Sequence, residues 1–92
     1  MQAAMTRLLD PERNMIQRAC QGNELAFAWL VETYQTALYN LCYRMLGDAD
    51  EAEEAAQETF LRAYAQLRSY DVTRSFKTWL FSIAHHYLNQ GM

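Results

Sequence analysis

The sequence predicts an all-α protein, a compact bundle of three long helices plus a short N-terminal helix. Apolar residues recur every three to four positions through most of the 92-residue chain, and no segment alternates as a half-buried strand would. Three Gly and one Pro leave few turn signals, so the elements must be long. With 51% hydrophobic and 21% charged residues, the composition is that of a globular protein, and the length predicts one domain over residues 1–92.

The first helix is predicted at residues 11–21. Asp10 followed by Pro11 is typical of a helix start, because the Asp carboxylate accepts backbone N–H groups and Pro suits the first helical position. Gly22 ends this short helix, since glycine readily takes the left-handed conformation beyond a helix.

The second helix is predicted at residues 24–46, between an Asn23 cap and Gly47. Its apolar residues step by three and four along one face. They are Phe27, Leu30, Val31, Tyr34, Leu38, Leu41, Cys42 and Met45.

Two more helices are predicted at residues 49–68 and 76–90. Asp48 with Glu51 three residues later resembles a capping box, and Ser75 is a suitable cap for the last helix. Alanines line the first half of the third helix, so a neighbouring helix is expected to approach it closely.

The chain contains no residue pattern that predicts a metal, a cofactor or an enzyme. Cys20 and Cys42 are expected to face the core as free thiols. Adjacent His85 and His86 point about 100° apart on a helix, so they do not chelate one ion from one face. Nucleophile–base pairs and glycine-rich phosphate loops are missing, and no stretch has the apolar length of a membrane helix. We therefore expect a soluble, cytoplasmic protein that is not an enzyme.

The net charge of −3 hides two blocks of opposite sign. One block holds six acidic residues and no basic one: Asp48, Asp50, Glu51, Glu53, Glu54 and Glu58. Acidic residues in a first helical turn are also explained by the helix dipole, or by an ordinary solvated face. Glu54 and Glu58 lie beyond that turn, and we interpret them as candidates for a basic partner surface.

The C-terminal third carries the basic block, in which cations alternate with aromatic rings. These residues are Arg62, Arg68, Tyr70, Arg74, Phe76, Lys77 and Trp79. Cations beside flat rings are what binding of single-stranded nucleic acid requires. The alternative is that Phe76 and Trp79 belong to the core, because they share the spacing of an apolar helix face. Tyr70 lies in the loop before the last helix, and we expect it to be exposed.

Several segments, taken together, resemble a known family. They are Ala26-Phe27, Tyr34, Leu38, LGD at 46–48, AEEAAQETFLRAY at 52–64 and SFKTWLFSIA at 75–84. In this order and spacing they resemble region 2 of the extracytoplasmic-function (ECF) sigma factors of the sigma-70 family, over residues 21–90. The resemblance implies a helical domain that docks on the clamp helices of the β′ subunit of core RNA polymerase. It also implies recognition of the non-template strand of the promoter −10 element as the duplex opens, and an anti-sigma factor as a further partner.

The resemblance also implies a set of contact residues. Positions that match the polymerase contacts are Glu54, Gln57, Glu58 and Arg62. The loop 69–74 matches the segment that captures a flipped −10 base. Positions that match the DNA-facing surface are Tyr70, Arg74, Ser75, Phe76, Lys77, His85, His86 and Asn89.

The chain departs from the family pattern at two places. Where the family usually shows Ile-Ala-Arg-Asn, this sequence has Ile83-Ala84-His85-His86, which replaces a permanent cation and an amide by two rings that are mostly neutral at pH 7. The family also continues into a basic run, a linker and a helix-turn-helix region 4, which this chain lacks. We expect a fragment of a longer protein, the alternative being a natural single-domain remnant. The alternative function is a helical protein–protein adaptor or anti-sigma target that does not bind DNA.

Overall fold

The fold class predicted from the sequence is confirmed. The computed structural model describes residues 10–90, and within that part of the chain it contains α-helices and one 3-10 turn but no strand. In chain order the elements are α1 (Pro11–Cys20), α2 (Glu24–Leu46), α3 (Ala49–Ala65), the 3-10 turn Leu67–Ser69, and α4 (Phe76–Gln90).

Each of the first two helices begins at a side-chain cap. The Asp10 carboxylate accepts a hydrogen bond from the backbone N–H of Glu12 at 3.0 Å, and the Asn23 side-chain oxygen accepts one from Ala26 at 3.1 Å. α2 ends at Gly47, whose φ of 72° is in the left-handed region that glycine adopts without a steric penalty. The local sequence therefore defines both helix starts and the end of α2.

α3 is shorter than the helix predicted at 49–68. Asp48 caps it by accepting a hydrogen bond from the Glu51 N–H at 2.9 Å, and the α-helix ends at Ala65. The N–H of Gln66 is shared between the carbonyl groups of residues 62 and 63, at 3.0 and 3.2 Å. This sharing tightens the chain into the 3-10 turn Leu67–Ser69, as commonly happens at helix ends.

The core lies where α3 packs between α2 and α4. α3 contributes small side chains, so its neighbours approach closely. The hydroxyl of its buried Thr59 donates to the Ala55 carbonyl at 2.8 Å, which satisfies the polar group inside the core. The other helices supply the large side chains: Leu30 and Leu38 from α2, and Phe76, Leu80 and Leu88 from α4.

Both cysteines are free thiols, Cys42 buried and Cys20 partly buried, and burial raises the pKa of each. Across residues 10–90, none of the helices combines the length and the apolar character needed to cross a membrane.

Candidate functional site

The acidic surface of α3 consists of Asp50, Glu51, Glu53, Glu54 and Glu58. Glu54 and the neighbouring Gln57 are exposed. The Glu58 side chain is 38% exposed, and its Oε1 lies 3.3 Å from Nε of Arg62, one helical turn further on. Most of the acidic surface is therefore open to a partner, whereas the Glu58 carboxylate already has one.

Arg62 makes a second contact, which joins α3 to α4. Its guanidinium carbon lies 4.7 Å from the ring centroid of Tyr87, a cation–π distance. Of the four positions matched to polymerase contacts, Arg62 thus has two partners inside the domain, and Glu58 one. The sequence carried no signal for the Tyr87 contact, because it depends on how two helices cross.

A groove between α2 and α3 borders the acidic surface. It has a volume of ≈ 350 Å³ and is lined on α2 by Val31 and Tyr39 and on α3 by Glu53, Gln57 and Phe60, among others. A second pocket of ≈ 470 Å³ shares Val31 and continues along the helices to Glu24, Phe27, Glu32 and Tyr64. We call the two together the α2–α3 groove.

The α2–α3 groove is apolar at its base and acidic at its rim. The rings of Phe27 and Tyr64 meet edge to face across it, with centroids 4.9 Å apart. The charged residues that line it are Glu24, Glu32 and Glu53. Such a surface suits an amphipathic helix with basic residues. The groove was not predicted, although Val31 and Tyr39, eight residues apart on one helix face, are a usable signal in the sequence.

Tyr70 is buried, and the expectation that it is exposed is wrong. Only 7% of the residue is accessible, because its ring packs against Phe76 and Trp79 at centroid distances of 5.5 and 5.0 Å. Its hydroxyl donates to the Arg74 carbonyl at 2.5 Å. Tyr70 therefore stabilises the conformation of the loop through contacts inside the domain.

The rest of the loop is ordered by short-range hydrogen bonds. The Asp71 carboxylate accepts from the Thr73 hydroxyl at 2.7 Å and from the Thr73 N–H at 2.9 Å, and these bonds lower the pKa of Asp71. The Ser75 hydroxyl accepts from the Thr78 N–H at 3.2 Å and so caps α4. Arg74 and Ser75 are both exposed, so they remain available to a ligand.

The residues matched to the DNA-facing side of α4 separate into two groups. Phe76 is only 3% exposed and contacts the rings of Tyr34, Tyr70 and Trp79, so its side chain belongs to the core and the predicted DNA-facing position is corrected for it. The other predicted contacts on this helix are exposed: Lys77, His85, His86 and Asn89.

Lys77 lies beside an aromatic ring. Its Nζ is 5.5 Å from the ring centroid of Phe81, one turn along α4. A cation next to a partly exposed ring is thus present on the side of α4 that the sequence predicted to face DNA, in line with the requirements of single-stranded nucleic acid binding.

Residues 30–90 match the family model described as Sigma-70 region 2. The chain therefore belongs to the Sigma-70 region 2 family, and the resemblance drawn from the segments at 52–64 and 75–84 is confirmed. It is 47% identical over 72 residues to the ECF RNA polymerase sigma factor SigW of Bacillus subtilis, an alignment that covers 78% of this chain and 38% of the relative. It is 36% identical over 75 residues to the RNA polymerase sigma-H factor of Pseudomonas aeruginosa, covering 82% of this chain and 39% of that protein.

Two solved structures share the fold. The NMR structure of an engineered region 2 of sigmaE in complex with GTAAAA matches with a TM-score of 0.79 and 33% identity, over 86% of this chain and 82% of that one. CnrH, in complex with the cytosolic domain of CnrY, matches with a TM-score of 0.78 and 30% identity, over 88% of this chain and 53% of that one. The chain thus spans roughly two fifths of the length of its curated relatives and most of an isolated region 2.

Proposed function

We propose that this chain is the part of an ECF sigma factor that binds core RNA polymerase and recognises the −10 element during promoter opening. It acts by binding and catalyses no reaction of its own. Since bacterial transcription takes place in the cytoplasm, the domain would act there.

One observation supports the polymerase half of the proposal: an acidic helix surface borders an apolar groove whose charged lining residues are all acidic. A partner helix with apolar residues on one side and Arg or Lys at its edges complements that surface. The clamp helices of the β′ subunit are the partner that the family resemblance implies. Glu54 and Gln57 supply exposed polar contacts there, and Phe60 part of the apolar base.

The DNA half of the proposal is supported by the loop 70–75 and the exposed side of α4. Arg74, Lys77 and Asn89 are exposed and offer hydrogen-bond donors to phosphates and bases. The solved relative in complex with GTAAAA has a TM-score of 0.79 to this chain, which supports the same kind of ligand here. Tyr70 and Phe76 act from inside, by fixing the shape of the loop.

A charge reversal at Glu54 tests the polymerase half. Glu54→Lys is preferable to a change at Glu58, because Glu58 is paired with Arg62 and its replacement would also remove that ion pair. We expect Glu54→Lys to reduce affinity for a β′ clamp-helix fragment at least tenfold, as loss of an interfacial charge pair does. Thr33→Arg is the control, since it adds a cation at an exposed α2 position that belongs neither to the acidic surface of α3 nor to the groove lining. If Glu54→Lys binds the β′ clamp-helix fragment as tightly as the wild type does, the assignment of the acidic surface of α3 to the polymerase interface is wrong.

Binding of single-stranded DNA tests the second half and separates it from the adaptor alternative. Affinity for non-template −10 oligonucleotides should depend on sequence and should fall as salt rises, because each cation that contacts a phosphate releases counterions. A helical adaptor or anti-sigma target would show neither dependence. CnrH is solved in complex with another protein's cytosolic domain, which supports a regulatory protein partner for this chain as well.

A further inference from the structure

α4 carries both histidines of the chain and no acidic residue. Over Phe76–Gln90 it contains one permanent cation, Lys77, together with His85 and His86. Both histidines are exposed. Histidine is the ordinary side chain that gains a positive charge between pH 8 and pH 5. The positive charge that α4 offers to a ligand therefore depends on the protonation of two rings.

His85 lies within a polar stripe on the exposed side of α4. The exposed residues Thr78, Ser82, His85 and Asn89 follow one another at steps of four, three and four, so they are neighbours along one side of the helix. His86 is about 100° further around the helix and flanks this stripe. The other members of the stripe offer hydrogen bonds without charge, so its charge is set by His85.

The histidines are well separated from the permanent cation of the helix. Lys77 and His85 are eight residues apart, which is about 12 Å along the helix axis. Charges at the surface are largely screened beyond about 8 Å at physiological ionic strength. Lys77 and His85 therefore act on different points of a bound strand.

The charged groups of α3 beside the histidines form a balanced pair. Arg62 lies 4.7 Å from the ring centroid of Tyr87, the residue after His86, and its charge is matched by Glu58 at 3.3 Å. Among residues 10–90 neither histidine forms an ion pair or a hydrogen bond with a carboxylate. Both rings are therefore free to pair with an anionic ligand.

α2, which also packs against α4, adds little charge. Its residues 35–46 contain one charged side chain, Arg44, which is exposed. Burial raises the pKa of the Cys42 thiol and of Tyr34, whose ring contacts Phe76 at the start of α4, so both groups stay uncharged. The loop before α4 contributes Asp71 and Arg74, whose charges cancel.

Protonation of the two rings changes the charge of α4 substantially. It adds two positive charges to a chain whose formal net charge is −3 with neutral histidines. On α4 itself, the permanent cation Lys77 is then joined by two more cations. Each cation that meets a phosphate of single-stranded DNA releases counterions and so strengthens binding, whereas a neutral imidazole does not.

We propose that protonation of His85 and His86 regulates the affinity of α4 for single-stranded DNA, so that the domain binds the strand more tightly in mild acid than at alkaline pH. The inference rests on the proposed function, because the exposed side of α4 must lie along the DNA strand. The rings act on the phosphate backbone, which is the same for every sequence. Protonation therefore raises the affinity for all sequences alike and leaves the preference among bases unchanged.

The probes are the DNA hexanucleotide GTAAAA and the hexanucleotide of complementary sequence. Affinities of the 92-residue chain are measured by fluorescence anisotropy at about pH 5.5 and about pH 8, on either side of the histidine range. For each ring that meets a phosphate, affinity at about 0.1 M salt should be about fivefold higher in acid, and the slope of log K against log salt should steepen by about 0.7. The ratio of the two affinities should not change with pH.

Substitutions of the histidines test their role directly. His85→Gln with His86→Gln keeps polar side chains but cannot become charged, so this double variant should lose the gain in acid. It retains the other titrating groups, so any pH dependence it shows belongs to them. His85→Arg supplies a permanent cation and should bind more tightly than the wild type at about pH 8.

Lys77→Gln is the control, because it removes a cation that does not titrate in this range. It should weaken binding at both pH values and keep the gain in acid. Thermal unfolding at both pH values checks that each variant remains folded. A second readout is NMR of the ring protons at about pH 6.5. Because protonation and DNA binding are reciprocally linked, adding GTAAAA should move the histidine signals toward their positions in acid.

The outcomes separate the two proposals. If the wild-type chain prefers GTAAAA to its complement but binds it equally at both pH values, the role of the histidines is overturned and the proposed function stands. The same conclusion follows if the double variant keeps the full gain in acid. If the wild-type chain binds neither hexanucleotide at either pH, both proposals fail.

Discussion

The acidic surface of α3 and the loop 70–75 hold their candidate contact residues in different ways. On α3, side chains project from a regular helix, and their direction follows from their position in the helical repeat. In the loop, Tyr70 points inward and packs against Phe76, the first residue of α4, while Arg74 and Ser75 remain at the surface. On a regular helix, the residues available to a partner can be predicted from the sequence pattern. In a loop of this kind, they can be identified only once the packing inside the domain is known.

The largest expected effect comes from removing the ring that joins the loop to the core. Phe76→Ala should reduce the free energy of unfolding by about 3–5 kcal/mol, because a buried ring is replaced by a cavity. Phe81→Ala, at a partly buried position on the same helix, should cost clearly less. Urea denaturation followed by circular dichroism measures both. Equal losses would mean that the loop does not depend on this ring, and the contrast with α3 would disappear.

Removing the Tyr70 hydroxyl group is expected to destabilise the loop less than removing the Phe76 ring. Tyr70→Phe keeps the packed ring but deletes the hydrogen bond to the Arg74 carbonyl, so it should cost about 0.5–1.5 kcal/mol in unfolding free energy. Backbone amides at 71–75 should also exchange faster with solvent. Tyr64→Phe, at an exposed position of α3, is the control and should change neither quantity. Unchanged exchange in Tyr70→Phe would show that the hydroxyl does not order the loop.

The contact between Arg62 and Tyr87 joins the two regions, and a double-mutant cycle measures it. Arg62→Ala, Tyr87→Leu and the double variant should give a coupling energy of about 0.5–1 kcal/mol, typical of an exposed cation–π pair. Glu58→Gln should cost at most about 0.3–0.5 kcal/mol, because its i,i+4 pair with Arg62 is well solvated. A coupling energy of zero would mean that the Arg62–Tyr87 contact does not stabilise the packing of α3 against α4.

The smallest expected effect is a pH dependence confined to the loop. Hydrogen bonds from Thr73 lower the pKa of Asp71 in the folded state, so their contribution is present above the pKa of an unperturbed Asp. It is lost as the pH falls through the lowered value. Protection of the Thr73 amide, followed by NMR, should therefore decrease in acid. Asp71→Asn should abolish the pH dependence of that protection, while protection within α3 stays the same in both proteins.

The features predicted correctly are those set by neighbours along the chain. Helix starts and ends depend on hydrogen bonds between residues at most four positions apart, so they can be predicted from the local sequence. This holds for the caps Asp10, Asn23 and Asp48 and for the helix end at Gly47. The predicted end of α3 was three residues too late, since tightening of a last turn has no clear sequence signal.

The errors concern aromatic residues near the loop. Tyr70 lies outside the helical repeat, so periodicity indicated an exposed side chain. Its burial depends on Trp79, nine residues away, and on the packing of α1 against the 3-10 turn that precedes Tyr70. The sequence allowed Phe76 to be either a DNA-facing residue or a core residue. Its packing against Tyr34, 42 positions earlier in the chain, places it in the core.

The sequence alone determined the helical class, the positions of the helices, the acidic surface of α3 and membership of the Sigma-70 region 2 family. These properties follow from the period of apolar residues, from capping chemistry and from short motifs, all of which are local. Tertiary structure decided the rest: the α2–α3 groove, the inward-facing Tyr70 and Phe76, and the Arg62–Tyr87 contact. Each requires residues distant in the chain to meet, and the geometry of that meeting is fixed only when helices pack against one another.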